Sequence, residues 1–160
     1  MMKIEIRAAT ERDVEVITAN NAALAMETEH RRLSPDIVRA GVAAALADPA
    51  KGRYFVAVRA GQVVGQIMHT YEWSDWRNGC FWWIQSVYVT QSARGQGVFR
   101  RLFDHLRTLA RTEPGVCGLR LYVERDNSRA QQTYRECGLV DPGYFVMEDD
   151  FSGAVAHVGS

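Results

Sequence analysis

The segment from Val87 to Phe103 constrains the fold more than any other part of the chain. Val87-Tyr88-Val89 is a β-branched and aromatic run that ends in a polar loop carrying Gly95 and Gly97. Val98, Leu102, Leu106 and Leu109 then recur at helical spacing. A strand that enters a helix through a glycine-containing turn makes a ready anion site. The first N–H groups of the helix have no acceptor inside it, and its dipole is positive at that end. Glycine lets the backbone approach a phosphate closely, and Arg94, Arg100 and Arg101 add positive charge nearby. The pattern implies a diphosphate cradle.

The 160 residues suit one domain with a core that needs neither disulfides nor metals. Nineteen basic and nineteen acidic residues leave no net field to draw the chain onto nucleic acid or an anionic membrane. No apolar run approaches the ~20 residues that span a bilayer. Lys3 to Arg7 alternates like a strand and lacks the apolar centre of a signal peptide. Cys80, Cys117 and Cys137 are odd in number and widely spaced. That spacing argues against a disulfide framework or a zinc site, so no metal is expected, and it points to the reducing cytoplasm.

Thr10, with Glu11 and Asp13, opens a helix that runs to about Glu29. Ser34-Pro35 opens a second, which stops at Asp48-Pro49. Tyr54–Val58 and Gln62–Tyr71 read as strands joined by a turn containing Gly61. A polar, aromatic loop follows, then a strand from Phe81 to Val89 that feeds the glycine loop. A third helix spans about Gly97 to Arg111, Leu119–Val123 is a short strand, and Asn127 begins a fourth helix capped at Gly138. Tyr144–Phe151 reads as a closing strand. Residues 1–160 thus form a single α/β domain, with about 152–160 as a frayed tail.

Two segments in this order resemble the GNAT superfamily of N-acetyltransferases. Arg94-Gly95-Gln96-Gly97-Val98-Phe99 is similar to the family's cofactor loop except at Phe99, where the family has a small residue. A bulky side chain fits there if it points into the helix–sheet packing. About thirty residues on, Leu121 to Leu139 resembles the family's strand-to-helix segment. In it Asn127 and Tyr134 fall on one helical face. The resemblance implies a mixed central sheet with splayed parallel strands, flanked by helices on both faces.

It also implies acetyl-coenzyme A as co-substrate. The backbone of Val87, Tyr88 and Val89 would pair with the pantetheine arm. The N–H groups of Arg94, Gly95, Gln96, Gly97, Val98, Phe99 and Arg100 would hold the diphosphate. Asn127 would bind the cofactor arm, and the Tyr134 hydroxyl would serve as general acid to the thioester sulfur. A backbone N–H near Val87 would stabilise the oxyanion. The family often places a basic glutamate on its fourth strand, where this chain has Gln85. Glu29 and Glu72 are the first candidates for the base, with water as the alternative. Acidic Glu27, Glu29, Glu72 and Asp75 suit a small cationic amine as acceptor. A protein lysine or N-terminus, or a non-catalytic acyl-coenzyme A sensor, are the competing readings. Family habit suggests a homodimer.

Plainer roles stand beside these. Asn127 also reads as a helix cap, Tyr134 as a core aromatic, and His69 as a satisfied strand histidine. Trp73 and Trp76 either pack or line an acceptor pocket.

Overall fold

The computed structural model of the chain describes residues 3–153 and 155–157. Its elements run β1 (Ile4–Ala8), α1 (Val14–Glu29), β2 (Arg31–Leu33), α2 (Pro35–Ala47), β3 (Arg53–Arg59), β4 (Gln62–Ser74) and β5 (Gly79–Val89). Then follow α3 (Val98–Thr112), β6 (Val116–Leu121), α4 (Ser128–Glu136) and β7 (Val155–His157).

Alternation along β3 sets the layout. Tyr54 and Val56 go to one face of the sheet and Phe55 and Ala57 to the other, and all four are buried. The first pair packs with Val14, Ile17, Val42 and Ala45 of α1 and α2. The second packs with Val98, Leu102, Leu106 and Ala110 of α3, whose apolar stripe is fully covered. Truncating Leu102 or Leu106 to alanine would cost about 2–5 kcal/mol at such sites. Helices therefore cover both faces of a five-stranded mixed sheet ordered β1-β3-β4-β5-β6. Every neighbouring pair is antiparallel except β5 with β6.

Gly65 brings α3 close to this sheet. A Cβ there would lie 2.8 Å from Val98 Cγ1 and 3.2 Å from Leu102 Cδ1, so the first turns of α3 rest directly on β4.

The second helix begins at Pro35 behind Ser34, as its cap signal predicts. The main departures lie at the chain's end. Tyr144–Phe151, expected as a closing strand, forms no ladder among the described residues. Val155–His157, expected in the tail, instead pairs antiparallel with Arg31–Leu33, a strand too short to read from its pattern.

Candidate active site

The parallel strands separate where the chemistry is expected. β5 and β6 pair from Cys80–Val116 to Ile84–Leu121 and no further. β5 then runs on to Val89, paired only with β4. Its backbone from Gln85 to Val89 thus has no strand neighbour on the β6 side among the described residues.

A bulge lies in this stretch. Gln66 pairs with Tyr88 and Met68 with Gln85, so Ser86 and Val87 face the single residue Ile67. Ser86 takes φ +51°, the left-handed region that costs a residue with a Cβ about 1 kcal/mol or more. The fully buried Gln66 holds it there. Its Nε2 donates to the Ser86 carbonyl at 3.1 Å and to Asn21 Oδ1 at 2.8 Å, while its Oε1 accepts from Asn20 Nδ2 at 3.0 Å. Each hydrogen-bonding position used on this amide has a partner, which is what a buried polar side chain requires.

Beyond Val89 the chain makes one 3-10 turn, Gln91–Ala93, and then the two glycines. Gly95 has φ +72° and Gly97 φ +75°, and a Cβ on either would meet nothing within 4 Å. The glycines are thus demanded by backbone conformation, and the loop faces open space. The N–H groups of Gly95, Gln96, Gly97, Val98, Phe99 and Arg100 find no acceptor among the described residues. This row, at the positive end of a fifteen-residue helix, suits a diphosphate.

The arginine side chains nearby are engaged with protein. Arg94 donates from Nε to the Val89 carbonyl at 3.0 Å and pairs with Glu27 at 2.6 Å. Glu27 also accepts from the Tyr88 hydroxyl at 3.1 Å. Bonding to Arg94 first, and to Tyr88 in addition, holds the Glu27 carboxyl below its usual range. Burial, then Glu27, pushes the Tyr88 phenol up. Arg100 turns to Asp104 at 3.2 Å, and Arg101 donates to the Ile4 carbonyl at 2.9 Å. Gln96 accepts from Arg59 and donates to the Ser92 carbonyl at 2.9 Å. Of the three arginines only Arg94 ties the loop to its neighbours, while Arg100 is paired along α3 and Arg101 is bonded to β1.

Phe99 points into packing, between Phe103 and Tyr134 at centroid distances of 5.8 and 5.7 Å. Its ring thereby seats Tyr134 on α3. The Tyr134 hydroxyl has no hydrogen-bond partner among the described residues, and burial, with a smaller effect of Cys137, raises its phenol above the ordinary value. Asn127 Oδ1 accepts from Ala130 N at 3.1 Å, so it caps α4 while its Nδ2 makes no bond among the described residues.

The carboxylates proposed as bases are paired. Glu72 Oε1 meets Arg120 at 2.5 Å, and its Oε2 accepts from Trp83 Nε1 at 2.9 Å. Glu29 faces Arg31 at 3.4 Å. Gln85 donates to Thr70 Oγ1 at 2.6 Å. Glu27, Glu29 and Glu72 are each paired with an arginine. Asp75 accepts from the Trp76 N–H at 2.9 Å.

His69 belongs to the other face. It is fully buried, stacked on Trp82 at 3.9 Å, and accepts from Arg53 Nε at 3.1 Å. Burial, and then the charge of Arg53, lowers its pKa to about 4, so it is neutral at pH 7. Trp73 lines a cavity of about 390 Å³ with Arg53, Tyr71, Trp82 and Glu113, and Trp76 is exposed. That cavity lies at the C-terminal end of α3, away from the glycine loop. Among the described residues no group of three or more His, Cys, Asp or Glu side chains is placed to hold a metal.

Residues 22–139, which run from within α1 to past the end of α4, match the Acetyltransferase (GNAT) family. The chain belongs to that family. Among solved structures, a possible acetyltransferase from Clostridium difficile 630 is 43% identical with TM-score 0.86, covering 94% of this chain and 98% of that one. A predicted acetyltransferase from Clostridium acetobutylicum, solved with acetyl-CoA, is 13% identical with TM-score 0.74, covering 92% and 96%. A ribosomal-protein-alanine N-acetyltransferase from Brucella melitensis biovar Abortus 2308 is 19% identical with TM-score 0.74, covering 92% and 100%. These last two share the GNAT fold with it. No curated protein matches the chain.

Sequence reasoning missed Asn20, Asn21 and Gln66, which shape the GNAT site from behind. The one available signal was a glutamine at a position of β4 where the neighbouring residues are buried.

Proposed function

We propose that the protein transfers an acetyl group from acetyl-coenzyme A to a primary amine by direct attack within a ternary complex. One observation carries this reading. Among the described residues, the edge of β5 from Gln85 to Val89 is unpaired on the β6 side and leads straight into a row of N–H groups without acceptors at the start of α3. An extended, amide-bearing arm ending in a diphosphate matches both features in that order.

The thioester supplies an activated acyl carbon and a thiolate leaving group. Residues Gln85–Val89 would pair with the arm, and the N–H groups of Gly95 to Arg100 would hold the diphosphate. Asn127 offers its remaining Nδ2 donor to the arm. The N–H at the bulge beside Val87 is suited to receive developing negative charge on oxygen, and the Tyr134 phenol to protonate the departing sulfur. A phenol pushed upward by burial stays protonated at neutral pH, as an acid must. With Glu27, Glu29 and Glu72 each held by an arginine, the proton of the attacking nitrogen passes to water. Three free cysteines suit action in a reducing compartment.

The test is Tyr134→Phe, assayed for free thiol release with a panel of primary amines. Turnover is expected to fall by about 10²–10⁴-fold, with acetyl-coenzyme A affinity within about twofold of wild type. Unchanged turnover would remove the acid role. Absence of amine-dependent thiol release in the wild type would remove the transfer reading itself.

A further inference from the structure

Beyond the C-terminal end of α3 the sheet face carries the cavity of about 390 Å³, and its floor is made of cross-strand pairs. Tyr71 lies opposite Trp82 and Trp73 opposite Cys80, with alternate residues of each strand on one face. Pro49, whose carbonyl accepts from the Tyr71 hydroxyl at 2.8 Å, and the turn Glu113–Gly115 from α3 to β6 form its sides. Tyr71 and Trp73 remain 39% and 64% exposed, an aromatic patch on the wall of a concave site. Trp82 precedes Ser86 by four residues, about 13 Å along β5, so this cavity is separate from the cleft between β5 and β6.

Two opposite charges line it without meeting each other. Arg53 donates from Nε to Nε2 of the neutral His69 at 3.1 Å and lies over the Trp82 ring at 4.8 Å. These contacts fix the guanidinium and leave its charge uncancelled. Its Nη1 and Nη2 groups make no hydrogen bond, and Arg53 makes no ion pair, among the described residues. Glu113 also makes no ion pair among them, although it is the C-cap residue of α3, where the helix dipole disfavours negative charge. A guanidinium with two free N–H edges suits a carboxylate held in bidentate fashion. A carboxylate at the negative end of a helix calls for a cation.

The geometry points to a second binding site here, for an aromatic amino acid, with its carboxylate on Arg53, its ammonium toward Glu113 and its ring against Tyr71 and Trp73. One small zwitterion matches both unpaired charges at once. A phosphorylated ligand fits less well, because Glu113 lines the same space and repels a dianion. A volume of about 390 Å³ is at the low end for small-molecule sites and suits a ligand of amino-acid size rather than a nucleotide. The site does not depend on the acetyl-transfer reading, since its lining shares no residue with the glycine loop, Asn127 or Tyr134.

The test is calorimetric titration of the full chain, without acetyl-coenzyme A, with L-phenylalanine, 3-phenylpropionate and phenethylamine. L-Phenylalanine is expected to bind with a Kd of about 1 mM or tighter. Phenethylamine, which lacks the carboxylate, should bind at least about tenfold more weakly, and 3-phenylpropionate, which lacks the ammonium, about threefold more weakly. Arg53→Met should weaken L-phenylalanine binding by about tenfold or more, Trp73→Ala by about fivefold and Glu113→Gln by about threefold. Trp73 and Glu113 are exposed, so these two variants keep the fold even where loss of Arg53 unsettles His69. Acetyl-coenzyme A binding by Trp73→Ala should stay within about twofold of the wild type. L-Phenylalanine is itself a primary amine, and binding on the acceptor side of the transferase site would survive both Trp73→Ala and Glu113→Gln. That survival, equal binding of the three compounds, or no binding of L-phenylalanine at about 10 mM would each overturn the proposal.

Discussion

Gln66 donates to the Ser86 carbonyl at 3.1 Å from a side chain with no exposure to solvent. Ser86 is the residue at φ +51° in the bulge of β5, so a β4 side chain holds the strained backbone of the strand that borders the site. Gln66→Leu would release Ser86 and leave Asn20 Nδ2 and Asn21 Oδ1 without their partner. The expected loss of stability is about 1–3 kcal/mol. Turnover is expected to fall by about tenfold or more, while the KM for acetyl-coenzyme A changes less. Urea unfolding and steady-state kinetics on one preparation check both parts. A variant with wild-type turnover would separate the bulge from catalysis.

Glu72 is held by Arg120 and Trp83, and on the proposed function it acts as a brace while water takes the proton. Glu72→Gln should therefore keep the pH–rate profile and lower kcat by less than about tenfold. Stability should change by no more than about 1 kcal/mol, as for a half-exposed pair. Loss of the acidic limb of the profile, with a hundredfold drop in kcat, would restore Glu72 as the base.

His69 sets an acid limit on the fold. Its native pKa of about 4 lies below the ordinary 6.5, so the unfolded chain takes up the proton first. Stability should be level above about pH 6.5 and decline as the pH falls toward 4, by about 3 kcal/mol at most. The Asp13 carboxyl, lowered chiefly by its bond to Arg7, adds a separate loss at still lower pH. Denaturant midpoints at pH 7, 5.5 and 4 for wild type and His69→Phe make the comparison. Equal slopes in the two proteins would contradict the assignment.

Much of the architecture is legible in the sequence because its signals are local. Alternation in Tyr54–Val58, the repeat Val98–Leu102–Leu106 and Ser34-Pro35 each mark an element from neighbours a few residues apart. Gly95 and Gly97 mark the loop for the same reason. The bulge is not legible, since it depends on Gln66 meeting Ser86 and Asn20, which are distant in sequence. The partners of the acidic residues are hidden in the same way. Glu27 and Glu72 look free until the fold delivers Arg94 and Arg120. Tyr144–Phe151 has the pattern of a strand, but pattern alone names no partner for it.

The most direct test of the central claim is calorimetric titration of the wild type and Gly97→Val with acetyl-coenzyme A. The Gly97 Cβ position is open, so valine there disturbs the φ of +75° and the space above the loop without entering the core. Micromolar binding by the wild type, weakened at least about tenfold in a folded Gly97→Val, is the predicted result. Absence of binding to the wild type, or equal binding by both proteins, would contradict it.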